Sequence, residues 1–214
     1  MTNAQNLLKS VQNQLMTEVQ RKAYHAKIKA DSYMRWLAFY YLGRREQSQH
    51  ELREKLLAKD CDPASVEALL QEFIDEGYQS DERMTCALIK EGIGKKYGTI
   101  RIYQILKKHG LTTVTSANQI NRWIDEHSDF FNDLILNDIE DHDEKKPSNG
   151  FDNDNYEVNW LIQAIEARVR KFGDAIPTDP KEKARQLRFL QYRGFDMGIC
   201  FDAIKYDLDS VHQR

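Results

Sequence analysis

The sequence predicts an all-α fold: three tandem three-helix modules forming an elongated curved chain, preceded by an N-terminal helical extension. Three observations predict it. The chain repeats itself at an offset of fifty residues, so that Asp31 to Glu76 returns as Asp81 to Glu126. Met34 falls on Met84, Leu52 on Ile102 and Leu56 on Leu106, and Phe73-Ile74-Asp75-Glu76 falls on Trp123-Ile124-Asp125-Glu126. A more degenerate third copy follows at an offset of 84, where Arg101, Leu106, Gly110 and Ile120 meet Arg185, Leu190, Gly194 and Ile204. Self-similarity at a fixed period marks stacked supersecondary units. Composition is the second observation: only four prolines and ten glycines interrupt a chain rich in helix formers. The third is helix punctuation that recurs at matching places in each copy.

The resulting organisation is an extension over 1–30, module one over 31–80, module two over 81–130, an acidic linker over 131–154 and module three over 155–214. The extension places Leu7, Leu8, Val11, Leu15 and Val19 at helical spacing among polar residues. A unit of some fifty residues buries too little surface to stand comfortably alone, so neighbouring modules are expected to support each other.

In module one, Asp31 opens a run containing Met34, Trp36, Leu37, Phe39, Tyr40 and Tyr41, which Gly43-Arg44-Arg45 breaks. The second helix starts at Ser48, where Ser48-x-x-Glu51 forms a capping box: the hydroxyl accepts from the third amide and the carboxylate from the cap amide. Leu52, Leu56 and Leu57 form its buried stripe. Asp62-Pro63 starts the third helix, the proline lacking a donor where none is needed, and Gly77 stops it. Its inner face is Val66, Leu69, Leu70 and Phe73. Module two repeats the plan with helices near 81–92, 98–109 and 113–127. Gly110 stands where a left-handed cap is required, and module one uses Asp60 there. Module three starts near Asn155 with a helix carrying Trp160, Leu161, Ile165, Val169 and Phe172. Asp179-Pro180-Lys181-Glu182 supplies cap, proline and capping-box glutamate for the next helix, which Gly194 closes. A last helix runs from Asp196 to Leu208.

The net charge of −3 averages two unlike regions. Twelve acidic residues lie between Asp125 and Glu157 against Lys145 and Lys146, a balance of −10 that leaves +7 on the rest. A basic body with an acidic belt is suited to a polyanionic or acidic partner on the basic side only. No stretch reaches the roughly 18 apolar residues of a membrane span, and the N-terminus has no apolar signal core, so a soluble cytoplasmic protein is expected. Cys61, Cys86 and Cys200 are odd in number and set among apolar residues, as reduced core thiols are.

Four segments carry a family resemblance. They are Arg44-Arg45-x-x-Ser48-x-x-Glu51-Leu52, Gly77-Tyr78-x-x-Asp81-Glu82-Arg83, Lys95-Lys96-x-Gly98-x-x-Arg101-Ile102, and Arg188-Phe189-Leu190-x-x-Arg193-Gly194-Phe195. In order and in matching places of their modules, they resemble the signature run of RecX regulatory proteins from residue 31 to about 208. The resemblance implies a bacterial cytoplasmic regulator that binds the RecA filament on single-stranded DNA, without a cofactor and as a monomer. It also implies repression of strand exchange, ATPase and co-protease activity in recombination, DNA repair and the SOS response. Weak direct DNA contact is compatible with it. The chain departs from the family in the length of its acidic insert.

Basic side chains lying off the buried stripes are the expected contact residues. Arg101, Gln104 and Lys108 share one face in module two, and Lys181, Arg185, Arg188 and Tyr192 share the corresponding face in module three. Arg44, Arg45, Lys95, Lys96 and Arg193 complete the set, able to meet acidic protein surface or phosphates. Catalysis finds little support. The histidines form no His-Glu-x-x-His pair and no zinc-type cluster with cysteine. Gly92-Ile93-Gly94-Lys95-Lys96 lacks the spacing and the hydroxyl of a phosphate loop and reads as a helix-to-helix turn. The competing reading is a helix-turn-helix-like DNA-binding regulator, which steep salt dependence on bare duplex would reveal.

Overall fold

The structure, a computed structural model, describes residues 17–131 and 158–208. The expectations for residues 1–16, for Asn155 and for the linker beyond residue 131 lie outside the described residues. The chain divides after Ser80 into two compact units. The first contains α1 (Glu18–Leu42), α2 (Gln49–Leu57) and α3 (Pro63–Asp75). The second contains α4 (Asp81–Gly94), α5 (Thr99–Lys108), a 3-10 turn (Ala117–Gln119), α6 (Ile120–Glu126), α7 (Trp160–Phe172), α8 (Pro180–Tyr192) and α9 (Met197–Ala203).

Local chemistry accounts for most helix ends. Ser48 and Glu51 exchange their capping-box hydrogen bonds, the Glu51 amide donating to Ser48 Oγ at 3.0 Å. Asp62 caps α3 by accepting from the Ser65 amide at 2.8 Å. Asp60, Gly110 and Gly194, equivalent in the repeat, all adopt positive φ, at 57°, 71° and 84°. The left-handed turn after the second helix is thus a property of every module. The same equivalence holds in the cores: Leu52 and Ile102 are fully buried, as are Leu56, Leu106 and Leu190.

Four boundaries differ from expectation. Asp31 does not open a helix but lies inside the 25-residue α1, which starts at a Thr17/Gln20 capping box. Residues 18–30 hold no glycine or proline, whereas Gly77, with φ of 75°, separates Asp81 from the preceding helix. The third helix of module two starts later than residue 113, after Thr112, Thr113, Val114 and Thr115, a β-branched run with low helix propensity. Gln119 fastens that run, its Oε1 accepting from the Thr115 amide and hydroxyl at 2.9 Å each. Asp179 caps α8 alone by accepting from the Lys181 and Glu182 amides at 3.0 Å, and the Glu182 carboxylate instead accepts from Arg185 and Gln186. The last helix stops at Ala203, and the Tyr206 carbonyl turns to Arg168, 3.0 Å away.

Unit one encloses a core of residues from all three helices, Ala38 of α1, Leu52 and Leu56 of α2 and Val66 and Phe73 of α3 being fully buried. In unit two a single continuous core joins residues of both module two and module three. Trp160 of α7 seals it, donating from Nε1 to Asn121 Oδ1 of α6 at 2.6 Å. Arg168 is fully buried, and its guanidinium donates to the carbonyls of Asp174, Ala175 and Tyr206 at 3.0–3.2 Å. It therefore ties the α7–α8 loop to the segment after α9. Burial pushes this guanidinium below its ordinary pKa. Position 168 falls on the inward stripe with Ala164 and Ile165, so the only sequence signal of this hub is a cation in an apolar register.

Candidate partner-binding surface

Two of the motif segments, far apart in sequence, meet in unit two. The Gly98 amide, at the N-cap of α5, donates to the Arg193 carbonyl at 2.9 Å, and the Ile100 amide donates to the Gly194 carbonyl at 3.1 Å. No side chain caps α5, so carbonyls just past the end of α8 satisfy amides that the helix itself leaves open. The partial charges at these two helix ends are opposite, which favours the junction further. The backbones approach so closely that a Cβ on Gly98 would stand 2.3 Å from the Gly194 oxygen, and one on Gly194 would stand 2.3 Å from Arg101 Cβ.

Cations clamp the same junction. Arg193 Nη1 donates to the Lys95 carbonyl at 2.6 Å, and its guanidinium lies 5.4 Å from the Tyr97 ring centroid and 5.1 Å from that of Phe189. Arg101 lies over Tyr97 and Tyr192, 6.0 and 5.7 Å from their ring centroids. The two faces that sequence spacing treated as equivalent therefore touch through one residue of each, Arg101 of α5 and Tyr192 of α8. Such cation–π contacts each contribute about 0.5–1 kcal/mol where exposed.

The remaining basic residues separate into two groups. Arg45 forms a two-pronged ion pair with Glu51 at 2.8 and 3.1 Å, buttressing the capping box of α2. Lys96 has φ of 57° and pairs with Glu166 of α7, while Lys95 pairs with Glu91 one turn earlier on α4. The Gly92-Ile93-Gly94 segment is the end of α4, with no cradle of open amides: the amides of Lys95, Lys96 and Tyr97 all bond to carbonyls of that helix. Pointing outward are Lys108, Lys181, Arg185 and Arg188, all exposed. Arg185 is held over Phe172 at 5.2 Å with Glu182 at 3.4 Å, whereas Lys108, Lys181 and Arg188 form no ion pair with a described residue. In unit one, Arg44 is exposed and donates to the Tyr40 hydroxyl at 3.2 Å.

Sequence reading missed one feature of unit one. Trp36 and Tyr40 belong to the apolar run of the first helix, yet together with Tyr33 they form an exposed stripe of α1 beside the buried Met34, Leu37 and Ala38. Their spacing of three and four residues was the available signal. Among the described residues no group of three or more histidine, cysteine, aspartate or glutamate side chains is placed to hold a metal ion. None of the described helices is long and apolar enough to cross a membrane.

Comparison with known proteins identifies the relatives of this chain. Residues 37–73 match the model of the first three-helix domain of RecX and residues 162–204 that of the third. The chain is 37% identical over 171 residues to the regulatory protein RecX of Acinetobacter baylyi, covering 80% of this chain and 86% of that one. It is 30% identical over 166 residues to the regulatory protein RecX of Halorhodospira halophila, covering 78% and 83%. A crystal structure of a regulatory protein RecX superposes with a TM-score of 0.59 at 14% identity over 91% of this chain and 83% of that one. The structure of RecX from Lactobacillus salivarius gives 0.54 at 13% identity over 83% and 96%. At such identities the superpositions speak for the helical-repeat fold, and the sequence relatives carry the assignment: the chain belongs to the RecX family of regulatory proteins.

Proposed function

We propose that this protein binds the RecA filament on single-stranded DNA as a monomer in the cytoplasm, acting as a regulator without catalysis of its own, and represses strand exchange, ATP hydrolysis and co-protease activity. Family membership supports the choice of partner. The observation that supports the choice of surface is the junction of α5 with the end of α8, which brings Arg101 over Tyr192 in the same unit whose α8 displays the outward cations Lys181, Arg185 and Arg188. Arg45, Lys96 and Arg193 serve this reading as positioning residues, since their charges are already engaged within the fold. Arg44, Lys108, Lys181, Arg185 and Arg188 are the direct contacts. Contacts from two units add, so avidity for an array of recombinase protomers exceeds that for a lone protomer. Binding then favours whichever filament conformation it fits better.

Single-stranded-DNA-dependent ATP hydrolysis by the recombinase, titrated with this protein, tests the proposal. Inhibition well below one molecule per protomer, weakened at least tenfold by Arg185→Glu with Arg188→Glu, is the expected result. No inhibition at several-fold excess would sink it, and tight salt-sensitive binding to bare duplex in its place would favour a DNA-binding regulator.

A further inference from the structure

The exposed face of α1 carries a ladder of rings that the core does not use. Tyr33, Trp36 and Tyr40 are 50%, 57% and 46% exposed. Their rings run nearly parallel, with centroids 6.1 Å apart between Tyr33 and Trp36, 5.6 Å between Trp36 and Tyr40, and 19° between planes in both pairs. Arg44 ends the ladder, its guanidinium 5.6 Å from the Tyr40 centroid. Lys29 stands one turn before Tyr33 on the same face and is exposed. Only two carboxylates occur on α1: Glu18 pairs with Lys22, and Asp31 lies on the side turned toward the core.

Rings of this size left in water cost hydrophobic free energy, and three in register on a positively charged helix suit a ligand with flat π-faces and negative charge. Trp36 borders an open cavity with Asp31, Arg35, Phe39 and Glu72, but Tyr33, Tyr40, Lys29 and Arg44 stand outside it, so the ladder as a whole offers no enclosing pocket for a small molecule. A nucleic-acid duplex hides its base faces by stacking them. A single strand offers them, and its phosphates can reach Lys29 and Arg44 while bases lie on the rings. The ring spacing exceeds the roughly 3.4 Å rise of stacked bases, so a strand engaging all three rings must be extended and unstacked. Single-stranded DNA is chosen over RNA because the proposed function sets this protein on a filament of single-stranded DNA, and in that choice the inference rests on that reading. We propose that Tyr33, Trp36 and Tyr40, flanked by Lys29 and Arg44, form a stacking platform for unpaired bases of single-stranded DNA, with Arg44 the one residue shared with the proposed recombinase contacts.

The platform is tested with the full chain and no recombinase, so its failure and that of the proposed function are distinguishable. Binding of dT12 to the wild-type chain is followed by tryptophan fluorescence, to which exposed Trp36 contributes, and the affinities of wild type and variants are compared by the anisotropy of fluorescein-labelled dT12, a readout that does not need Trp36. Quenching by dT12 is expected, with affinity falling roughly tenfold in Trp36→Ala and again in Tyr40→Ala, and held within about threefold in Trp36→Phe. A dT12·dA12 duplex should compete poorly, and rU12 should bind no tighter than dT12. Equal dT12 affinity in wild type and Trp36→Ala would overturn the proposal, because binding would then be electrostatic and elsewhere. So would equal competition by duplex, or tighter binding of rU12. A fluorescence change with recombinase protein alone and none with dT12 would reassign the ladder to a protein contact and overturn it too.

Discussion

Replacing Gly98 with alanine should loosen unit two without touching any charged group. The new Cβ would stand 2.3 Å from the Gly194 oxygen, 2.4 Å from its carbonyl carbon and 2.5 Å from the Phe195 amide nitrogen, so backbone and not a flexible side chain has to move. Losing the Gly98 and Ile100 hydrogen bonds costs about 1–3 kcal/mol at about 0.5–1.5 each. Displacing packed neighbours adds about 1–3 kcal/mol, less the ~0.5 kcal/mol that alanine returns by stiffening the unfolded chain. The net loss is about 3 kcal/mol. Gly94→Ala is the matched control, because nothing lies within 4 Å of a Cβ there and the residue is helical. It should stabilise by about 0.5 kcal/mol. In a Trp36→Phe background the remaining tryptophans, Trp123 and Trp160, both report on unit two, and urea unfolding reads the difference. With a slope of roughly 2 kcal/mol per molar, Gly98→Ala should lower the midpoint by about 1.5 M. A shift under about 0.3 M, or an equal drop in Gly94→Ala, would refute the tight junction.

Three further outcomes are expected. Arg168→Ala should cost more than about 3 kcal/mol by stranding several buried carbonyls, and hydrogen exchange should speed up together near Asp174 and Tyr206. In thiol labelling at pH 8, half-buried Cys61 should react first; Cys86 and Cys200 should wait for unfolding, burial having raised both thiols, that of Cys200 to about 11. Acid should weaken unit one: hydrogen bonds from Arg35 and Arg53 hold Glu72 and Glu67 below the ordinary carboxylate range, as the Ser65 amide and hydroxyl do for Asp62. Because these native pKa values are lowered, the stability they lend is present above the unfolded value near 4 and is lost as pH falls through the native ones. Glu72→Gln should therefore be less stable than wild type at pH 7, with the gap closing below about pH 4 in urea titrations.

The candidate surface was only partly legible in the sequence. Spacing correctly put Arg185 and Arg188 on an outward face and Leu190 inside, because helical register is a matter of 3.6 residues per turn. It ranked Arg45 and Arg193 with them, since a cation off the apolar stripe looks the same whether it meets water or a distant acceptor. Only folding reveals that Arg193 reaches the Lys95 carbonyl, 98 residues away. The aromatic run of α1 misled in the opposite direction, rings being more often buried than displayed.

What the sequence determined by itself is what acts over a few residues. The all-helical class, the repeat, the Ser48/Glu51 box and the left-handed residues at Asp60, Gly110 and Gly194 all follow from interactions within one or two turns. Tertiary structure decided the rest: that modules two and three share a core, that Gly98 is required by a passing backbone, and that Arg168 is interior while Trp36 is not. These depend on which surfaces meet when helices pack, and close packing of segments far apart in the chain leaves no local periodic trace.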